Sequence, residues 1–117
     1  MNKKVSGTLS PERQNIKTMP AVYYIGTYDI DNMEEFKNYP PKVAQLITKY
    51  GAKVLASDIE AISLEGKART MNAIIQFPSM ETAMGMYNDP EYQKKIRPIR
   101  LRSTSNCTMV LAREFQR

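Results

Sequence analysis

The sequence has no histidine, no tryptophan and a single cysteine. Without histidine there can be no Ser-His or Cys-His nucleophile pair, no histidine-ligated haem and no Cys/His zinc site. The acidic residues form no spaced cluster of the kind an all-carboxylate magnesium or calcium site needs. Neither a metal nor a cofactor is expected, and any chemistry must rest on Tyr, Arg, Lys, Glu or Asp, or on a bound cofactor. The lone Cys107 cannot close an internal disulfide, which agrees with a reducing compartment. It lies in an alternating apolar run near the C-terminus. A buried structural thiol is expected there, because a reactive one needs exposure and nearby positive charge. No run of about 18 apolar residues exists to span a membrane. Met1-Asn-Lys-Lys starts like a signal peptide, but Val5-Ser-Gly-Thr-Leu-Ser10 supplies no apolar core, so a cytoplasmic location is expected.

What is present is ordinary in amount and informative in order. At 117 residues with 42% hydrophobic and 25% charged side chains, one globular domain with its own core is expected. The net charge is +5, and most of the excess sits in the first twenty residues, where Lys3, Lys4, Arg13 and Lys17 face only Glu12. That stretch has no helical or strand period. Residues 1–19 are read as a polar arm and residues 20–117 as the domain. A basic isoelectric point that comes largely from a tail is weak evidence for nucleic acid.

The chain is organised around Met71 to Tyr92. Met71 to Phe77 is short and rich in Ile and Phe, which predicts a strand, and Pro78 ends its ladder for want of a donor. Ser79 is positioned to cap a helix, with Glu81 in the first turn. Met80, Ala83, Met84 and Tyr87 then form one stripe at i, i+3, i+4, i+7. Upstream, Ala21 to Asp29 reads as a first strand, with Tyr23 and Ile25 on one face and Val22, Tyr24 and Tyr28 on the other. Asp31 with Glu34 three residues on predicts a capped helix carrying Phe36 and Tyr39. Pro40-Pro41 should break or kink it. Helix then resumes with Val43, Leu46, Ile47 and Tyr50, and Gly51 is the expected left-handed stop. Lys53 to Asp58 predicts a second strand, Ile62 to Leu64 a short extension of it, and Arg69 to Phe77 the third. Asp89-Pro90-Glu91 begins a last helix with Tyr92, Ile96 and Ile99 inward. Cys107 to Phe115 alternates as a final strand.

Strand, helix, strand, strand, helix, strand is the order of an α+β, ferredoxin-like βαββαβ fold: a four-stranded antiparallel sheet with both helices on one face. The other face has no helix to cover it. On the third strand Met71, Ala73, Ile75 and Phe77 form a dry side. Thr70, Asn72, Ile74 and Gln76 form a second side that is neither dry nor charged. With the tyrosines of the first strand this has the composition of an interface. A homodimer joined through its sheet faces is the expected partner arrangement.

Several residues of this domain recur together at characteristic intervals: Tyr50-Gly51, Leu64-Glu65-Gly66, Arg69, Phe77-Pro78-Ser79, Ala83, Tyr87, Pro90-Glu91-Tyr92 and Arg100. In these, residues 20–115 resemble the family called domain of unknown function 1330, within the dimeric α/β-barrel group. Ala52 stands where that family often has a second glycine, and Met86 where an aromatic is frequent. The Pro40-Pro41 pair is a further departure. The resemblance implies a dimer of the same fold and supplies no established reaction.

Among the remaining constellations, Tyr24, Tyr28, Tyr87 and Tyr92 can wall a pocket between sheet and helices, with Met84 and Met86 as adaptable neighbours. Arg97 and Arg100, three apart in the basic run Lys94 to Arg102, can share a helix face and grip a carboxylate. Arg100 ranks first because it also matches the family pattern. Arg69 is read either as a ligand-binding residue or as the ion-pair partner of Glu65 across the Gly66 turn. A nucleic-acid role is disfavoured: the third strand, Arg69 to Phe77, lacks the aromatics on which bases stack in the RNA-recognition version of this topology. The first strand–helix loop, Asp29-Ile-Asp31, is acidic and cradles no phosphate. Two readings of function remain. One is a dimer binding a small, partly apolar anion between sheet and helices, with tyrosine walls and Arg100 as anchor. The other, which the family resemblance implies as a use of this barrel, is a cofactor-independent monooxygenase or isomerase, in which a tyrosine or Glu65 is the acid or base.

Overall fold

β-Branched and aromatic side chains make Val22–Ile30 a strand, β1, and its position is central. The computed structural model describes residues 20–116; the arm expected over residues 1–19 lies outside them. β1 pairs antiparallel with β3 (Met71–Phe77) on one side and with β4 (Thr104–Arg113) on the other. β2 (Lys53–Asp58) adds to the free edge of β3, giving the order β2-β3-β1-β4. This is the ferredoxin-like topology expected from the element order.

The helices begin and end where side-chain chemistry dictates, with several departures from the sequence expectation. α1 is only Met33–Phe36, and Asn32 rather than Asp31 caps it, its side chain accepting from the Glu35 amide at 3.1 Å. α2 spans Tyr39–Lys49 without a break, because Pro40 and Pro41 fall in its first turn. There the missing amide hydrogens would have had no helical partner anyway, so the prolines start the helix instead of kinking it. Gly51 closes α2 at φ 70°, as expected. Ser79 caps α3 (Met80–Tyr87) with Glu81 in its first turn, as expected, and Thr82 completes a reciprocal capping box. Asp89 accepts from the Glu91 amide at 2.8 Å to start the last helical stretch. That stretch has a π-helical turn at Tyr92–Ile96 before α4 (Arg97–Ser103). Pro98 cannot donate back along the helix, and the wider turn before it absorbs the mismatch.

Residues 59–70 form no strand; Ile62 and Leu64 are 88% and 93% exposed in the β2–β3 connection. β4 starts at Thr104, three residues before the expected Cys107, and ends before Phe115, which is exposed. β1 has a register shift against β4 between Thr27 and Asp29, so Asn106 and Cys107 together oppose Tyr28. Asn106 takes φ 53° in this bulge, a conformation Asn tolerates better than most residues.

The two faces of the sheet differ sharply. Val22, Tyr28, Met71, Ile75 and Phe77 turn toward the helices and pack with Phe36, Leu46, Ile47, Ala83, Met86, Ile96 and Ile99 in one buried cluster. Each large aliphatic or aromatic member contributes about 1.5–3 kcal/mol by leaving water. On the opposite face Ile25 pairs with Ile74 and with Val110. These three remain 37%, 37% and 48% exposed.

Candidate functional site

The layer between sheet and helices is not filled. A cavity of about 480 Å³ opens there, walled by Tyr24 and Tyr28 of β1, Tyr39 and Ile47 of α2, Ile75 of β3, Met84 and Tyr87 of α3, and Tyr92. Its volume falls in the range of small-molecule sites, about 300–1,000 Å³. Each wall residue is placed by the period of its element. In β1 the even positions face inward, which brings Tyr24 and Tyr28 to one side of the strand. In α2, Tyr39, Val43 and Ile47 recur at i, i+4, i+8 along one face, and all three reach the wall.

The tyrosine hydroxyls and Ser57 supply the polar points in an otherwise apolar chamber. Tyr39 and Tyr92 share a hydrogen bond of 2.9 Å between their hydroxyls. Tyr87 packs on Tyr92 with ring centroids 5.8 Å apart, and Tyr28 on Phe36 at the same spacing. Burial is the main reason that the Tyr24, Tyr28 and Tyr39 pKa values are all pushed up, with neighbouring phenols adding to the effect on Tyr24 and Tyr39. At neutral pH these groups are uncharged donors and acceptors, not bases.

The four tyrosines singled out in the sequence, Tyr24, Tyr28, Tyr87 and Tyr92, thus meet at one cavity. Met84 and Tyr87 are less buried than the stripe predicts, 43% and 39% exposed, because they sit where the chamber opens.

The charged candidates are placed differently. Arg100 is 3% exposed on α4 and lies behind the tyrosines rather than on the wall. Its Nη1 donates to Cys107 Sγ at 3.1 Å, and its buried Nε has no acceptor. Burial works against its charge, but the Tyr92 and Tyr39 hydroxyls more than offset this and its pKa is raised. Arg97 does not join it: the Arg97 guanidinium lies over the Tyr87 ring, 5.9 Å from the centroid. Arg69 pairs with Asp29 at 3.6 Å, not with Glu65. Asp29 also accepts from the Thr70 amide and from Asn106 Nδ2, so Arg69 belongs to a cluster that pins the strand ends. Glu65 is exposed in the β2–β3 connection, away from the wall. Cys107 is exposed, against the expectation of a buried thiol. The bulge puts it at the rim of the sheet rather than under the helices. Among the described residues no three His, Cys, Asp or Glu side chains come together as a metal site would require.

Two contributors escaped the sequence reading. Tyr39 was placed on a helix but not at the site; its i, i+4, i+8 relation to Val43 and Ile47 was the available signal. Gly26 in the middle of β1 was passed over. A methyl group there would collide with the Tyr24 phenol, so the glycine is the space into which that ring lies along the sheet. A glycine inside a strand is the usual sign of such a close approach.

A family model described as Domain of unknown function (DUF1330) matches residues 21–115. No curated protein matches the chain. Among solved structures, a protein of unknown function from Rhodopseudomonas palustris superposes with a TM-score of 0.70 at 12% identity, covering 95% of this chain and 97% of its own. A protein from Bacteroides fragilis, described as dimeric, of unknown function and of ferredoxin-like fold, gives 0.58 at 12% identity over 81% of this chain and 96% of that one. At such identities the likeness is one of fold. No helix among the described residues is long and apolar enough to cross a membrane.

Proposed function

This chain belongs to the family described as Domain of unknown function (DUF1330), and we propose that it binds a small, largely apolar molecule carrying an anionic group in the cavity between sheet and helices. The observation that carries this reading is the chamber of about 480 Å³ whose wall is apolar except for the tyrosine hydroxyls and Ser57. A rigid aromatic wall with few polar points is how small-molecule sites combine affinity with orientation. Behind the wall stands Arg100, a buried cation with no carboxylate partner among the described residues. An acidic group on the ligand is the natural complement to it.

The ionisable side chains on the wall are all tyrosines. Burial pushes the Tyr24, Tyr28 and Tyr39 pKa values up, which favours binding over the monooxygenase or isomerase reading, since that needs a base at neutral pH.

Thermal-shift titrations with benzoate, cinnamate and decanoate, and with the corresponding amides, test the reading. At least one carboxylate raises the melting temperature more than its amide does; saturation at 100 times Kd is worth about 2.7 kcal/mol. Ala73→Phe, which fills the chamber from β3, abolishes the shift. An equal shift in Ala73→Phe, or none in the wild type, rejects it.

We also propose that two protomers associate through the open sheet face. Its support is the exposed row Ile25, Ile74 and Val110, together with a structural neighbour described as dimeric.

A further inference from the structure

We propose that Cys107 is an oxidation site for hydroperoxides, and that Arg100 holds the anionic product. The sulfur is exposed, which is the first requirement for oxidation. Its position follows from the bulge: with Asn106 at φ 53°, β4 presents Cys107 opposite Tyr28, within reach of α4. From there Arg100 Nη1 donates to Sγ at 3.1 Å.

The second observation is the state of Arg100 itself. The residue is 3% exposed, its buried Nε has no acceptor, and it forms no ion pair among the described residues. The neighbouring arginines are engaged elsewhere: Arg102 donates to Glu35 Oε2 at 2.7 Å, and Arg97 to Gln93 Oε1 at 3.4 Å. A thiol is a poor acceptor for a guanidinium, so the bond to Sγ gives the Arg100 charge no anionic partner, and only the Tyr92 and Tyr39 hydroxyls favour it.

Oxidation repairs this deficit. The sulfur attacks one oxygen of the hydroperoxide; an S–O bond forms and the O–O bond breaks. Sulfur loses two electrons, the peroxide is reduced to water or an alcohol, and the thiol proton goes to the departing oxygen. A second hydroperoxide repeats the step on the sulfenic acid. The resulting sulfinic acid gives its proton to water at neutral pH. Two oxygens and a negative charge then stand where the guanidinium points, so a charge-assisted pair replaces a weak contact. The inference does not depend on the cavity holding a ligand.

The test is to treat the full chain and Cys107→Ser alike with hydrogen peroxide, follow both by intact mass and peptide mapping, and melt both. The eight methionines oxidise in both proteins, so the difference between them reports Cys107. The wild type gains two oxygens on the Cys107 peptide. Its melting temperature rises relative to treated Cys107→Ser by on the order of 4 °C or more. Without any peroxide, Cys107→Asp melts above Cys107→Ser by a similar margin. An unmodified Cys107, an oxidised protein no more stable than the serine variant, or an aspartate variant no better than serine overturns the proposal.

Discussion

Gly26 and Tyr24 act as a pair, since the ring occupies the place a side chain at position 26 would need. Gly26→Ala gains β propensity but drives the phenol off the sheet and into the cavity. The net effect expected in denaturant melts is a loss of about 1–3 kcal/mol, as for other overpacked sites, together with weaker ligand binding. The buried phenols also set the alkaline limit. Tyr24, Tyr28 and Tyr39 have raised pKa values because burial disfavours their anions. In the unfolded chain they ionise near pH 10. Their contribution is therefore complete below that pH and falls as the pH rises above it, because only the unfolded state releases protons. The part of the phenolate absorbance that comes from these three should appear together with loss of helical circular dichroism; full ionisation of all seven tyrosines before unfolding would contradict this. The tyrosines themselves were legible from their alternation along β1 and their spacing on the helices. The partnership of Arg100 with Cys107 was not, because it depends on a bulge that no periodicity announces.

At the scale of elements, α3 carries the cavity mouth, and its start rests on Ser79. The hydroxyl accepts from the Thr82 amide at 3.1 Å while the Thr82 hydroxyl accepts from the Ser79 amide at 3.2 Å. Ser79→Ala should cost about 1 kcal/mol, measured by urea titration, and an unchanged midpoint would show that packing alone holds the helix. The last helical stretch is anchored by Asp89, which accepts from the Tyr50 hydroxyl at 2.6 Å and from Lys49 Nζ at 3.2 Å. The Tyr50 bond first, then the Glu91 amide, lowers the Asp89 pKa below the usual carboxylate range. Its contribution is present above about pH 3.9, the unfolded value, and disappears as the pH falls through the lower folded value. Asp89→Asn should flatten that acid limb in pH-dependent melts. Caps and stops such as Ser79, Asp89 and Gly51 were readable because each is a local hydrogen bond or a local φ. Pro40-Pro41 was misread because its effect depends on where the helix starts. That a π turn would absorb Pro98 was not legible in the order of residues.

For the whole molecule, one sheet face lines the cavity, and the other is the face proposed for a second copy. Ile74→Lys, at the centre of the open face, should convert a dimer to a folded monomer in light scattering while the helix content stays unchanged. A dimer that survives the substitution would place the contact elsewhere. The topology was legible because the two apolar periods, 2 in the strands and 3.6 in the helices, hold over nearly every element. The cavity was legible only as a gathering of tyrosines, since volume is a property of packing rather than of order along the chain. The most direct measurement is a cinnamate titration of methionine methyl resonances. Met71, Met84, Met86 and Met109 line the chamber, while Met33 sits on α1 outside it. A saturable shift of the four lining methyls with Met33 unmoved is the predicted result; no shift, or equal movement of Met33, would contradict a binding cavity.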